Sequence, residues 1–262
     1  MTTKKSRPTY PVRSLEKTIS ILDALRDASE PMGVTELSVA LGLTVNAVYR
    51  HLDTLHWYDL VEQDPRTLKY ILGTHLIEYG ARAIQRLSFG EKARPYLEQL
   101  ASKTDETVNL CILRGGEALF IDKIESQEFL RMVTHLGARV PLHCTSIGKA
   151  MLAYLPEEEQ KTILEAQPLT RYTPNTITDV ATLKAHLQMI RSQGYAVDNE
   201  EYLPGVRCIA APILGHDQSA MAAVSVSGPT TRLTSDHVQA VASCVRKAAR
   251  EISSKIIMEH LG

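Results

Sequence analysis

The chain has 262 residues, 44% hydrophobic and 23% charged, and its 29 basic against 30 acidic side chains leave a formal net charge of −1. It is long enough for a folded protein of one small and one larger domain, and its near-neutral total excludes attraction to nucleic acid through overall charge, so any such attraction must be local. Nowhere do 18 apolar residues run together, and the N-terminus lacks the apolar core of a signal peptide, so no membrane association is expected and the cytoplasm is the expected location.

A local basic patch stands at the start, where Lys4, Lys5, Arg7, Arg13 and Lys17 face only Glu16. Residues 1–13 read as a flexible basic arm, although a merely solvated tail has the same composition. Ser14 to Arg26 repeats Leu15, Ile19, Leu22 and Leu25 at helical spacing, which predicts a helix with an apolar stripe. A loop, Asp27 to Gly33, leads to a second helix, Thr35 to Leu41, with Leu37, Ala40 and Leu41 inward. Gly42 ends it, since glycine accepts the left-handed backbone of a helix C-terminus. Thr44 then caps a third helix, Val45 to His56. Val48, Leu52 and Leu55 must face the core there, leaving Val45, Asn46, Tyr49, Arg50 and Asp53 on the opposite face. Asn and Arg near a helix N-terminus can make bidentate bonds to adenine and guanine edges, which is the chemistry of a recognition helix. Two short helices joined through a glycine also occur in ordinary helical domains. The neighbouring residues favour DNA: Leu60 to Glu62 and Leu68 to Leu72 flank a turn and read as a hairpin, completing a winged helix-turn-helix over 14–73, with Arg66 and Lys69 placed to touch phosphate.

Residues 74–88 read as a linker helix carrying Leu76, Tyr79, Ala83 and Leu87, and 89–262 as a larger α+β domain. It should open on a helix from Phe89 to Lys103, with Pro95 inside. Val108 to Leu113 and Ala118 to Ile124 form a hairpin, and Leu130 to Thr134 is a further strand candidate. A helix begins near Thr145, acidic and amphipathic helices are expected at Glu157 to Ala166 and Val180 to Ser192, and strands at Tyr195 to Glu200, Val206 to Leu214 and Ala220 to Ser227. Thr234 to His260 closes the chain as a long helix. One antiparallel sheet with helices packed on it is the expected architecture.

Polar residues inside these apolar strands mark a pocket, because buried hydroxyls are costly unless bonded. Ser225 and Ser227 alternate with Val224 and Val226 and so share one face of the sheet. Asp198 and Cys208, at the ends of two other strands, can add an acceptor and a weak donor. The helix near Thr145 brings free backbone amides and the positive end of its dipole, so the set suits the carboxylate of a small organic acid. The serines could equally bond to backbone or water. Cys111, Cys144, Cys208 and Cys244 form no CxxC pair, which argues against zinc and disulfides, and no cofactor is expected. His143 and Cys144 are adjacent but point opposite ways in an extended segment, so no catalytic residue is assigned.

With these residues in view, the chain resembles the IclR family of bacterial transcriptional regulators over nearly its whole length. The resemblance rests on SLEKTISIL at Ser14 to Leu22, TELSVALGL at Thr35 to Leu43, AVYRHLDTL at Ala47 to Leu55 and YILG at Tyr70 to Gly73. It continues through LGARVPLHCTSIGKAMLA at Leu136 to Ala153, GYAVDNEEYLPGVRCIAAPI at Gly194 to Ile213, and AAVSVSGP at Ala222 to Pro229. It implies a winged-helix domain, a linker helix and a GAF-like effector domain, acting as a homodimer or homotetramer on a roughly palindromic double-stranded operator. It also implies that the backbone amides of Ser146 and Ile147 meet the ligand carboxylate and that Asp198, Cys208, Ser225 and Ser227 make the other polar contacts. Phe129, Met132, Val140 and Val206 would form the apolar wall. The sequence departs from the small Gly-Ala pair of relatives that bind 2-oxo acids, having Ser146-Ile147 instead, which leaves sugar, 2-oxo and aromatic acids open. A small-molecule module using its helix-turn-helix for protein interaction is the alternative reading.

Overall fold

The structure is a computed structural model that describes residues 9–86 and 89–259; Lys4, Lys5 and Arg7 of the expected arm, and Leu87 of the linker stripe, lie outside the described residues. The chain divides after residue 87 into two compact units.

The N-terminal unit contains α1 (Arg13–Asp27), α2 (Val34–Leu41), α3 (Val45–Trp57), the antiparallel hairpin β1 (Val61–Gln63) and β2 (Tyr70–Leu72), and α4 (His75–Arg86). Gly42 takes the left-handed conformation at φ 63° and terminates α2, while the Thr44 hydroxyl accepts a bond from Ala47 N at 3.3 Å and starts α3. Ile21, Leu25, Leu37, Val48, Leu52, Leu55, Val61 and Tyr70 form the core. Full burial of each aliphatic side chain contributes about 1.5–3 kcal/mol, so a unit of this size rests on very few residues. The expected stripe of α1 is out of phase. Ile21 and Leu25 are the buried positions, whereas Leu15 and Ile19 are 56% and 49% exposed. Ala40 of α2 is also exposed, because a helix of eight residues seats only Leu37 fully and Leu41 in part. Along α4 the described side chains are largely exposed, Ile77, Tyr79 and Ile84 among them, while Leu76 is half-buried.

The C-terminal unit contains one six-stranded antiparallel sheet in the order β5-β4-β3-β8-β7-β6, with β3 (Thr107–Arg114), β4 (Glu117–Ile124), β5 (Arg139–Val140), β6 (Ala196–Asn199), β7 (Val206–Leu214) and β8 (Ala220–Pro229). Its helices are α5 (Phe89–Thr104), α6 (Ser146–Leu152), α7 (Glu157–Ala166), α8 (Val180–Gln193) and α9 (Val238–Glu259), the last entered through a 3-10 turn at Ser235–His237. α5 and α9 pack on each other and on the sheet. Against the other face lies a cluster built from Cys111, Phe120, Ala210 and Ala223 of the strands and from Ile147, Met151, Leu152, Leu183 and Ile190 of α6 and α8.

The expected strand at Leu130 to Thr134 is absent; that stretch is irregular. Its carbonyls are taken by side chains instead of a ladder, since Arg232 donates to Leu130 O, Thr107 Oγ1 to Met132 O and Lys123 Nζ to Thr134 O, at 2.8, 2.9 and 2.6 Å. The edge strand beside β4 is β5, which was not expected. α6 sits close beneath the segment before it because Gly148 has no side chain there: a Cβ would lie 2.4 Å from Leu142 Cα.

Candidate functional site

In the N-terminal unit Thr44, Val45, Asn46, Tyr49 and Arg50 are all exposed on one face of α3, with Val48, Leu52 and Leu55 buried behind them. Arg13 is exposed at the start of α1. Asp64 Oδ1 accepts from Arg66 N and Thr67 N at 2.7 and 3.2 Å, which folds the wing turn and leaves the Arg66 side chain 90% exposed. Lys69 is placed differently from the expectation of a free phosphate contact. Its Nζ lies 2.8 Å from Glu36 Oε1, and Glu36 Oε2 in turn accepts from Gly33 N at 2.6 Å. The wing is thereby tied to the start of α2. Solvent screens an exposed pair of this kind, and the bond is weak enough to exchange for a phosphate.

In the C-terminal unit the sheet face under α6 changes character along its strands. Ala196, Ala210, Ala223 and Cys111 belong to the apolar cluster, and two residues further along each strand the same face carries Asp198, Cys208, Ser225 and Asn109. The register then lines up Asp198, Cys208, Ser227 and Thr107 across four strands. Four of these residues, Asp198, Cys208, Ser225 and Ser227, border a cavity of about 280 Å³, close to the lower end of small-molecule pockets, roughly 300–1,000 Å³. Ser146, Ile147, Asp198, Cys208, Ser225 and Ser227 all line it, as do Met132, Val140 and Val206. Phe129 does not. Its side chain is fully exposed on the irregular segment, and Phe120 of β4 supplies the aromatic wall instead.

Asn109, Thr134 and Tyr202 escaped the sequence reading. Thr134 Oγ1 donates to Asn109 Oδ1 at 2.6 Å and Asn109 Nδ2 donates to Ser227 Oγ at 3.4 Å, so one cavity hydroxyl is oriented from behind. A polar residue in an apolar strand was the signal that singled out the serines, and Asn109 in VNLCIL carries the same one. The Ser146 and Ile147 amides lie in the first turn of α6, where the backbone supplies no intrahelical acceptor, and the Thr145 hydroxyl caps Gly148 N at 3.1 Å.

The cavity is held by neutral groups and one carboxyl. Asp198 is 3% exposed and its Oδ1 accepts from Glu201 N at 2.7 Å. Burial, reinforced by the nearby Glu201 charge, pushes its carboxyl up to about 7. Burial also raises the Cys208 thiol, so it is not a thiolate nucleophile at neutral pH. Beneath the floor, Lys149 is 0% exposed and binds Glu201 Oε1 at 2.5 Å and Val197 O at 2.8 Å. Arg139 borders the mouth, but its guanidinium turns away to Arg114 O and Glu117 at 2.8 and 3.6 Å. Among the described residues no cluster of His, Cys, Asp or Glu could hold a metal ion, and no helix is long and apolar enough to cross a membrane.

The family model for the IclR helix-turn-helix domain matches residues 14–65, and that for the bacterial transcriptional regulator IclR C-terminal matches residues 81–254. The chain belongs to the IclR family of bacterial transcriptional regulators. It is 39% identical over 242 residues to the HTH-type transcriptional regulator BhcR of Paracoccus denitrificans, covering 92% of this chain and 86% of that one. It is similar in structure to the IclR protein of Thermotoga maritima, with a TM-score of 0.76, 34% identity and coverage of 94% and 99%. An IclR homologue of Microbacterium hydrocarbonoxydans, solved as a complex with 4-hydroxybenzoate, shares the fold at a TM-score of 0.81 and 23% identity, with 92% and 98% covered. IclR-family membership makes this chain a DNA-binding transcriptional regulator, not an enzyme.

Proposed function

We propose that residues 14–73 bind a roughly palindromic operator through Thr44, Val45, Asn46, Tyr49 and Arg50 of α3, with Arg13, Arg66 and Lys69 on the phosphates. The arm at 1–13 adds charge, residues 74–88 link the units, and 89–262 form a GAF-like effector domain. A homodimer or homotetramer in the cytoplasm supplies the second recognition helix, and a small carboxylic acid in the C-terminal cavity changes the spacing between helices and so the operator affinity. The observation that carries the ligand class is the convergence of Asp198, Cys208, Ser225 and Ser227 with the first-turn amides of Ser146 and Ile147 on one half-open cavity. The complex of the Microbacterium homologue with an aromatic acid is consistent with it.

Screening small carboxylic acids by thermal shift, and then by operator retention on a gel, tests the proposal; an acid that stabilises the chain and changes retention supports it. Two substitutions refine it. Arg50→Ala is expected to weaken operator binding by about 1–3 kcal/mol if the guanidinium reads a base, and equal loss on operator and random DNA, or no loss, removes Arg50 from base readout. Ser225→Ala is expected to weaken binding of the acid by about 0.5–1.5 kcal/mol, one hydrogen bond; calorimetry showing unchanged affinity takes Ser225 out of the site.

A further inference from the structure

The cavity presents an electrostatic problem to the ligand class proposed above. An organic acid is an anion at neutral pH, and the group waiting for it at the end of β6 is itself a carboxyl. Two carboxylates close together in a small site do not both readily remain ionised without a cation between them. The cations around the cavity are engaged elsewhere: Arg139 at the mouth turns to Arg114 O and Glu117. Lys149 of α6 reaches into this region and favours the Asp198 carboxylate, but its ammonium is bonded to Glu201 and Val197 O, and the Glu201 charge raises the Asp198 carboxyl more than Lys149 lowers it. From β7 the facing group is the Cys208 thiol, and from the segment before α6 the Cys144 thiol, both kept neutral by burial. Tyr202, just beyond β6, is likewise held neutral. His143 and His186, which lie near the Lys149–Glu201 pair, are both shifted downward by burial and are uncharged at pH 7. His135 borders the cavity from the irregular segment and is exposed.

We infer that the acid enters this pocket together with a proton, which resides on Asp198 while the ligand carboxylate is bound. This rests on the reading of the cavity as a carboxylate site. Protonated, Asp198 keeps its acceptor for Glu201 N through Oδ1 and gains an O–H, so a repulsive charge becomes a hydrogen-bond donor to the anion. The balance is one ligand anion and one proton taken up from solvent, with no covalent change. Its consequence is that the regulator responds to the acid more strongly at lower pH.

Two measurements test it. The first needs no ligand: carbon NMR of the chain labelled at its aspartate carboxyls, with Asp198 assigned by difference from Asp198→Asn. Its midpoint is expected near neutrality, well above an ordinary aspartate at about 3.9. The folded chain then binds more protons than the unfolded one between those two values, so wild type should lose stability relative to Asp198→Asn as pH rises from about 4 to about 7. A midpoint near 4 overturns the proposal.

The second is calorimetry with 4-hydroxybenzoate, gluconate and pyruvate in buffers of different ionisation enthalpy. Any that binds should take up close to one proton at pH 8 and bind about thirtyfold more weakly at pH 8.5 than at pH 6. Asp198→Asn should flatten that dependence, and His135→Gln should leave it in place. Dependence lost with His135 and kept with Asp198→Asn overturns the proposal. Should none of the three acids bind at pH 6, the carboxylate reading itself is in question, and the ligand-free titration still decides the state of Asp198.

Discussion

Lys149→Met is expected to destabilise the C-terminal unit by about 3–5 kcal/mol, the range for removing one partner of a buried ion pair. The ammonium is 0% exposed and bonds to Glu201 and Val197 O, so its loss strands a carboxylate that is 7% exposed and a strand carbonyl in an apolar setting. Glu201 Oε2 already lacks a hydrogen-bond partner among the described residues, which leaves it little local compensation. The backbone around Glu201 is held by Thr173 and Thr176, whose hydroxyls donate to Glu201 O at 3.2 and 2.6 Å, so the carboxylate cannot easily swing out to water. Chemical denaturation followed at the C-terminal unit measures the loss. The double variant Lys149→Met with Glu201→Leu should recover most of it, because apolar replacements of a buried pair are often neutral. Loss below about 1 kcal/mol in the single variant would show that water reaches the pair.

Leu52→Ala is expected to cost the N-terminal unit about 2–5 kcal/mol, from lost transfer free energy and the cavity left behind. Leu52 is fully buried in a core of eight residues, so neighbours have little freedom to collapse onto the space. The proposed recognition face lies on the same helix, and operator binding should fall with the folded fraction. The C-terminal unit has its own core, so stabilisation by a carboxylic acid should persist in this variant. Thermal unfolding with and without the acid distinguishes the two, and loss of both responses together would show that the units do not fold independently.

Particular residues show how much of the fold and of the site was legible in the sequence. The phase of α3 was readable because thirteen residues give Val48, Leu52 and Leu55 a repeated period, and glycine and threonine punctuation marks the turn that leads into it. The alternation of Ser225 and Ser227 told which way both point, since a strand has only two faces. The phase of α1 was not readable. Leu15, Ile19, Ile21, Leu22 and Leu25 offer two overlapping stripes, and only packing against the second and third helices selects Ile21 with Leu25.

The segment Leu130 to Thr134 was misread for the same kind of reason. Apolar side chains near a hairpin fit a further strand locally, but Thr107, Lys123 and Arg232 claim the carbonyls, and these donors lie up to 102 residues away in the chain. The sequence by itself determined the two-part organisation, the third helix with its exposed face and the polar residue types of the strands, because these depend on local period and capping. Only the tertiary structure decided that Asp198, Cys208, Ser227 and Thr107 stand in one row, that Lys69 is tied to Glu36, and that the cation beneath the cavity is already occupied. Those facts depend on strand register and on which distant charge arrives first, and neither is written in the local pattern of any single segment.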